Sequence, residues 1–170
     1  ILMERFDGIT GPDINSLISA VDYPANPTVS SELNIFEIPT NVGDNYGVRV
    51  RGYLCAPETG TYYFWIAGDD HVELHLSADT SASNTVQIAG HTSWTKSRQW
   101  NKFTDQKSFG IDLIAGKTYY IEALMKERTF GDNMAVGWRL PSAGDGASPT
   151  EVIPGNVLSP VTTGISLKAS

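Results

Sequence analysis

Asp69 and Asp70 stand side by side in the stretch WIAGDDHVELHLS, between one strand-like run ending at Gly68 and another starting at once. Neighbouring like charges repel, and Asp is depleted in strands. Gly-Asp-Asp is ordinary turn chemistry, so a solvated turn is one reading. The other is a cation between the two carboxylates. Ca²⁺ takes about six to eight oxygen ligands at about 2.3–2.6 Å from carboxylates, backbone carbonyls and hydroxyls.

Other constellations fail on spacing. His71, Glu73 and His75 alternate on one strand face, but three such positions spread over about 13 Å, too far for one zinc ion. Asp69 or Asp70 with Glu127 or Asp132 could be a glycosidase pair. That chemistry needs an acid and a base about 5–9 Å apart with separated pKa values, and adjacent aspartates supply no acid in an apolar pocket. No H-E-x-x-H, G-x-S-x-G, P-loop or EF-hand pattern occurs. A single cysteine, Cys55, excludes an intrachain disulfide and reads as a small core hydrophobe on a strand.

The elements that must position the acidic pair are strands. VRVRGYL and HVELHLS alternate with period two, TYYFWIA is a dense aromatic run of core type, and NTVQIAG continues the pattern. ETG at 58–60 predicts a tight turn between antiparallel neighbours, and SFGIDLIAGKTYYIEALMKE predicts two strands around Ala-Gly-Lys. NMAVGWRLP is a further strand closed by Pro141. Only DINSLISAV suggests helix, capped by Asp13, and residues 1–47 otherwise show no clean period. Residues 91–107 form a polar excursion carrying Trp94, Trp100 and Phe103. The expectation is an all-β, antiparallel β-sandwich or barrel, with the tail from 143 to 170 a short strand at Val152 and Ile153 followed by a linker.

At 170 residues the chain suits one domain, and 41 % hydrophobic with 18 % charged residues reads as globular. A net charge of −7 without a Lys/Arg cluster disfavours nucleic acid and anionic membranes as partners. No apolar run approaches the roughly 20 residues that span a bilayer. Beginning at Ile1 without a signal peptide, the chain reads as a module taken from something longer.

The aromatic strand ending in Asp-Asp, the L-x-A-G-x-x-Y-x-I segment and the Gly-Asp loop before a Trp strand occur in the order that resembles the PA14 domain. That resemblance covers residues 1–142 and implies a jelly-roll-like antiparallel β-sandwich found in extracellular adhesins, flocculins, toxins and glycosidase accessory domains. In the family's lectin branch, adjacent aspartates joined by a cis peptide hold Ca²⁺. A second loop adds carbonyls and a polar side chain, and vicinal sugar hydroxyls complete the shell. Here the pair is Asp69–Asp70, and the second loop falls in KERTFGDN, where Arg128, Thr129 and Phe130 stand in place of glycines.

The expected metal ligands are Asp69, Asp70, Asp132 and the backbone oxygens of Arg128 and Phe130. The expected sugar contacts are Asp69, Asp70, His71, Gln106, Arg128 and Asp132, with the Trp94, Trp100 and Phe103 rings available to pyranose C–H faces. The function so read is a non-catalytic, Ca²⁺-dependent carbohydrate-binding domain of a secreted bacterial adhesin. It would be a monomeric module at the cell surface whose partner is a glycan on another cell. The alternative is an accessory or spacer domain of a secreted glycosidase or surface protein.

Overall fold

Alternation along the chain decides which side chains meet. In β3 (Tyr46–Cys55) Tyr46, Val48, Val50 and Leu54 are buried, and in β8 (Thr118–Glu127) Tyr119, Ile121, Ala123 and Met125 are buried beside them. β4 (Gly60–Asp69) turns Tyr62, Phe64 and Ile66 into the same core, and β5 (His71–Ser77) adds Val72, Leu74 and Leu76. β9 (Asn133–Arg139) contributes Met134, Val136 and Trp138. The computed structural model describes residues 1–162.

The remaining strands are β1 (Leu2–Asp7), β2 (Val29–Glu32), β6 (Thr85–His91), β7 (Ile111–Leu113), β10 (Glu151–Val152) and β11 (Leu158–Pro160). One antiparallel sheet runs β2-β1-β3-β8-β5-β6, with β11 also paired to β3; the second runs β10-β9-β4-β7. The two sheets enclose the main core, which confirms the all-β sandwich. A five-residue helix, α1 (Ile14–Ile18), starts where Asp13 accepts the Ser16 N–H at 3.0 Å, as its sequence predicts. Its Ile14 and Leu17 cover the outer face of the larger sheet together with Phe6, Ile9 and Leu124.

Two expected hairpins are instead crossings between sheets. β3 lies in the larger sheet and β4 in the smaller, so the turn at 58–60 joins layers. Likewise β7 pairs with β4, whereas β8 pairs with β3 and β5. A short turn fixes only that two strands are close, and burying both apolar faces between layers decides against pairing them. The Asp69–Asp70 junction is a third such crossing, from β4 in one sheet to β5 in the other.

The boundary at 142 moves. β10 pairs with Trp138 and Gly137, Ile153 is fully buried, and β11 pairs with Gly52–Leu54. Residues through Pro160 therefore belong to the sandwich rather than to a linker, and the expected tail beyond 162 lies outside the described residues. β1 was also hidden in the sequence, since its central Glu4 is a buried charge.

Candidate functional site

Strand register brings the acidic pair to one end of the sandwich. Asp69 is the last residue of β4 to pair, opposite Asn133; His71 opens β5 opposite Lys126; Glu127 closes β8 opposite Tyr46. The peptide joining Asp69 to Asp70 is cis, as the resemblance implies. Asp70 donates its N–H to the Lys126 carbonyl at 3.3 Å, and its carboxylate accepts the Arg128 N–H at 3.1 Å.

Glu127 follows Met125 on the inward alternation of β8, so its side chain enters the sandwich end. It is fully buried, and among the described residues neither carboxylate oxygen has a hydrogen-bond partner. One oxygen each from Asp69, Asp70 and Glu127 lie within 4.8 Å of one another. Burial, then the Asp70 charge, pushes the Asp69 carboxyl up to about 7. Burial, then the charges of Asp70 and Asp69, pushes Glu127 up to about 8. Converging carboxylates without donors fit a hard divalent cation, since ligands about 2.4 Å from one ion lie no more than about 4.8 Å apart.

Glu127 thus takes the place expected for Asp132 as the third carboxylate of the cluster. Asp132 is 3 % exposed, and its Oδ2 accepts N–H groups from Val42 at 2.7 Å and Gly43 at 3.1 Å. That oxygen ties the second loop to residues 41–45, while its Oδ1 is buried without a partner. The Arg128 carbonyl, an expected ligand, accepts the Asn45 N–H at 2.8 Å, which engages it with the same neighbouring loop. Phe130 adopts φ +84° and donates its N–H to Asp44 at 3.0 Å.

Above the acids is a cavity of about 280 Å³ lined by Asp69, Asp70, Trp94, Arg128, Thr129 and Phe130. Trp94 is half exposed, with the Lys102 ammonium 3.2 Å from its ring centroid. Of the other excursion aromatics, Phe103 packs on His91 with ring centroids 5.2 Å apart, and neither it nor Trp100 lines this cavity.

Two expected sugar contacts turn away. His71 Nδ1 accepts the Ile14 N–H at 3.3 Å and its Nε2 lies 3.5 Å from Glu73, so the ring faces α1. Gln106 is fully buried. Its Oε1 accepts N–H groups of Lys102 and Phe103, each at 2.9 Å, and its Nε2 donates to Ile66 at 3.0 Å and Gln99 at 2.7 Å. Every hydrogen-bonding capacity of that amide is used in pinning the excursion to β4, which leaves none for a ligand.

Glu127 was readable as an inward-parity charge at the end of TYYIEALMKE. The 41–45 loop carried no signal beyond turn-forming residues.

The PA14 domain family model matches residues 23–150. Among curated proteins, the chain is 38 % identical over 100 residues to a mouse N-acetyl-beta-glucosaminyl-glycoprotein 4-beta-N-acetylgalactosaminyltransferase 1, covering 56 % of this chain and 10 % of that protein. It is 33 % identical over 94 residues to human fibrocystin-L, covering 55 % of this chain and 2 % of the relative. Among solved structures, the PA14 sugar-binding domain from an RTX adhesin superposes with TM-score 0.66 at 12 % identity, over 94 % of this chain and 97 % of that one. The Candida glabrata epithelial adhesin 9 A domain in complex with Galβ1-4GlcNAc gives TM-score 0.60 at 13 % identity, over 85 % and 83 % of the two chains. These structures share the fold of this chain, and the match over 23–150 shows that it belongs to the PA14 domain family.

Proposed function

We propose that this chain is a calcium-dependent, non-catalytic carbohydrate-binding domain of a secreted or surface protein of adhesin type. The observation that carries the reading is the cluster of Asp69, Asp70 and Glu127 beneath a cavity walled by Trp94 and Phe130. Bound Ca²⁺ would neutralise the carboxylates and offer open coordination positions to vicinal hydroxyls of a sugar.

The chain's own groups supply the rest. Asp69 and Asp70 reach the cavity and can also accept hydrogen bonds from sugar hydroxyls. The Arg128 backbone N–H orients the Asp70 carboxylate, and Arg128 and Thr129 form a polar margin. The Trp94 and Phe130 rings present apolar faces to pyranose C–H groups. Glycans on an opposing surface are the partners so proposed, with avidity coming from repeated modules. A bacterial parent is expected from the sequence alone; the relatives matched in sequence include mouse, human and dog proteins.

Hydrolysis is disfavoured by the same geometry. Carboxylates that converge on one point suit a shared cation or proton, whereas a glycosidase sets its two carboxyl groups on either side of the scissile bond, about 5–9.5 Å apart. The glycosyltransferase relative is matched over 10 % of its length, so its activity does not transfer.

The test is calorimetry of fucose, glucose, mannose and galactose against wild type and Asp70→Asn, each with Ca²⁺ and with EDTA. Asp70→Asn keeps the shape but removes one charge. Ca²⁺ affinity is expected to fall by about tenfold or more, which would empty a site of about 10⁻⁴–10⁻³ M affinity at ordinary extracellular calcium. Sugar binding should fall with it. Sugar binding undiminished in EDTA would end the calcium reading, and absence of binding to any glycan would favour a spacer.

A further inference from the structure

Residues 128–132 link β8 to β9, and no strand among the described residues pairs with them. What holds this loop is a second loop, residues 41–45. Arg128 accepts from the Asn45 N–H at 2.8 Å, and the Asp132 carbonyl accepts from the Asn41 N–H at 3.4 Å. Asp132 Oδ2 accepts from Val42 and Gly43. The fifth link runs the other way: Asp44 Oδ1 accepts the Phe130 N–H at 3.0 Å.

Phe130 is the unusual residue of the loop. Its φ of +84° is disfavoured for a residue with a Cβ, and the residue is 91 % exposed while lining the 280 Å³ cavity. Neither feature is stabilised by burial; the other links grip the loop at Arg128 and Asp132, and the Asp44 hydrogen bond is the one that the Phe130 backbone itself makes among the described residues. Asp44 is not among the clustered carboxylates Asp69, Asp70 and Glu127, nor does it line the cavity.

We propose that Asp44 is a positioning residue for ligand selection: it fixes Phe130 as the aromatic wall of the cavity without itself touching cation or ligand. Its place as ligand-selecting rests on the saccharide-binding reading above. The holding of Phe130 by Asp44 does not.

The two claims separate in Asp44→Ala and Asp44→Asn. The asparagine retains an Oδ1 acceptor but lacks the charge, so it is expected to rescue whatever depends on the hydrogen bond. Amide hydrogen exchange at Phe130, followed by NMR on ligand-free protein, should accelerate about fivefold or more in Asp44→Ala and stay near wild type in Asp44→Asn. Calorimetry with calcium chloride alone should show the charge effect equally in both variants, with any further loss confined to Asp44→Ala, where the Phe130 backbone expected at the cation is no longer held. Titration of the methyl glycosides of mannose and galactose in saturating Ca²⁺ should show affinity about fivefold lower in Asp44→Ala and within about twofold of wild type in Asp44→Asn. Unchanged Phe130 exchange in Asp44→Ala, failure of Asn to rescue, or glycoside affinity untouched by loss of Phe130 protection would each overturn the proposal. If wild type bound no glycoside, the saccharide reading and the selection role would fall together, and the exchange data would still decide whether Asp44 holds Phe130.

Discussion

At the end of β8 the alternation that buries Tyr119, Ile121, Ala123 and Met125 runs one step further and delivers the Glu127 carboxylate into the sandwich end. Without a cation, burial and the neighbouring acids hold Glu127 protonated to about pH 8 and Asp69 to about 7. In the unfolded chain both release their protons near pH 4. Between those limits the folded state binds more protons than the unfolded, so stability falls as pH rises from about 4 to 8. In EDTA, the melting temperature at pH 5 is therefore expected to exceed that at pH 8. Saturating Ca²⁺ should shrink or reverse the difference, because the ion favours the deprotonated acids. Differential scanning calorimetry at both pH values checks this, and a higher melting point at pH 8 in EDTA would contradict the burial argument.

The 91–107 excursion shows how an element without periodicity is held. Gln106 bonds Lys102, Phe103, Gln99 and Ile66, while Thr95 exchanges hydrogen bonds with Gly68, its N–H donating at 2.8 Å and its hydroxyl receiving the Gly68 N–H at 2.9 Å. Both anchors end on β4, and the excursion carries Trp94 to the cavity beside Asp69. Gln106→Ala would leave two N–H and two carbonyl groups without their partner. A loss of about 3 kcal/mol is expected, read as a melting point lower by roughly 6–12 °C, with weakened sugar binding as Trp94 loosens. A melting point within about 2 °C of wild type would show that water replaces the amide.

The sandwich as a whole closes only with its last strands. Ile153 is fully buried, donates its N–H to Val136 and accepts that of Phe36, both at 3.0 Å. At Gly52 a Cβ would meet the Ser159 carbonyl at 2.2 Å, so β11 packs against a strand that has room only for glycine there. A chain ending at residue 142 exposes these surfaces, and burial of Ile153 alone is worth about 2–3 kcal/mol. Such a chain is expected to unfold without a cooperative transition or to aggregate, by circular dichroism and gel filtration. A cooperative melt close to that of the full chain would restore the boundary at 142.

Alternating or densely apolar runs made β3–β6, β8 and β9 legible in the sequence, because residue type along a short run marks a strand wherever it pairs. The acidic pair was legible too, since two carboxylates at a strand junction need a reason. β1 was not, because its Glu4 meets Arg49 at 2.7 Å and Arg51 at 2.9 Å, and those charges compensate one another only after strands 45 and more residues apart have paired. For the same reason the sequence could not choose between Asp132 and Glu127. Both carboxylates flank the same loop in the chain; the 41–45 amides, 90 residues away, engage one and leave the other bare. The sequence by itself determined most of the strands, the class of fold and the position of the acidic pair, because these depend on local pattern and residue type. Which strands pair, which carboxylate completes the cluster and which loop holds the cavity wall were decided by tertiary structure, where groups distant in the chain compete for the same hydrogen bonds.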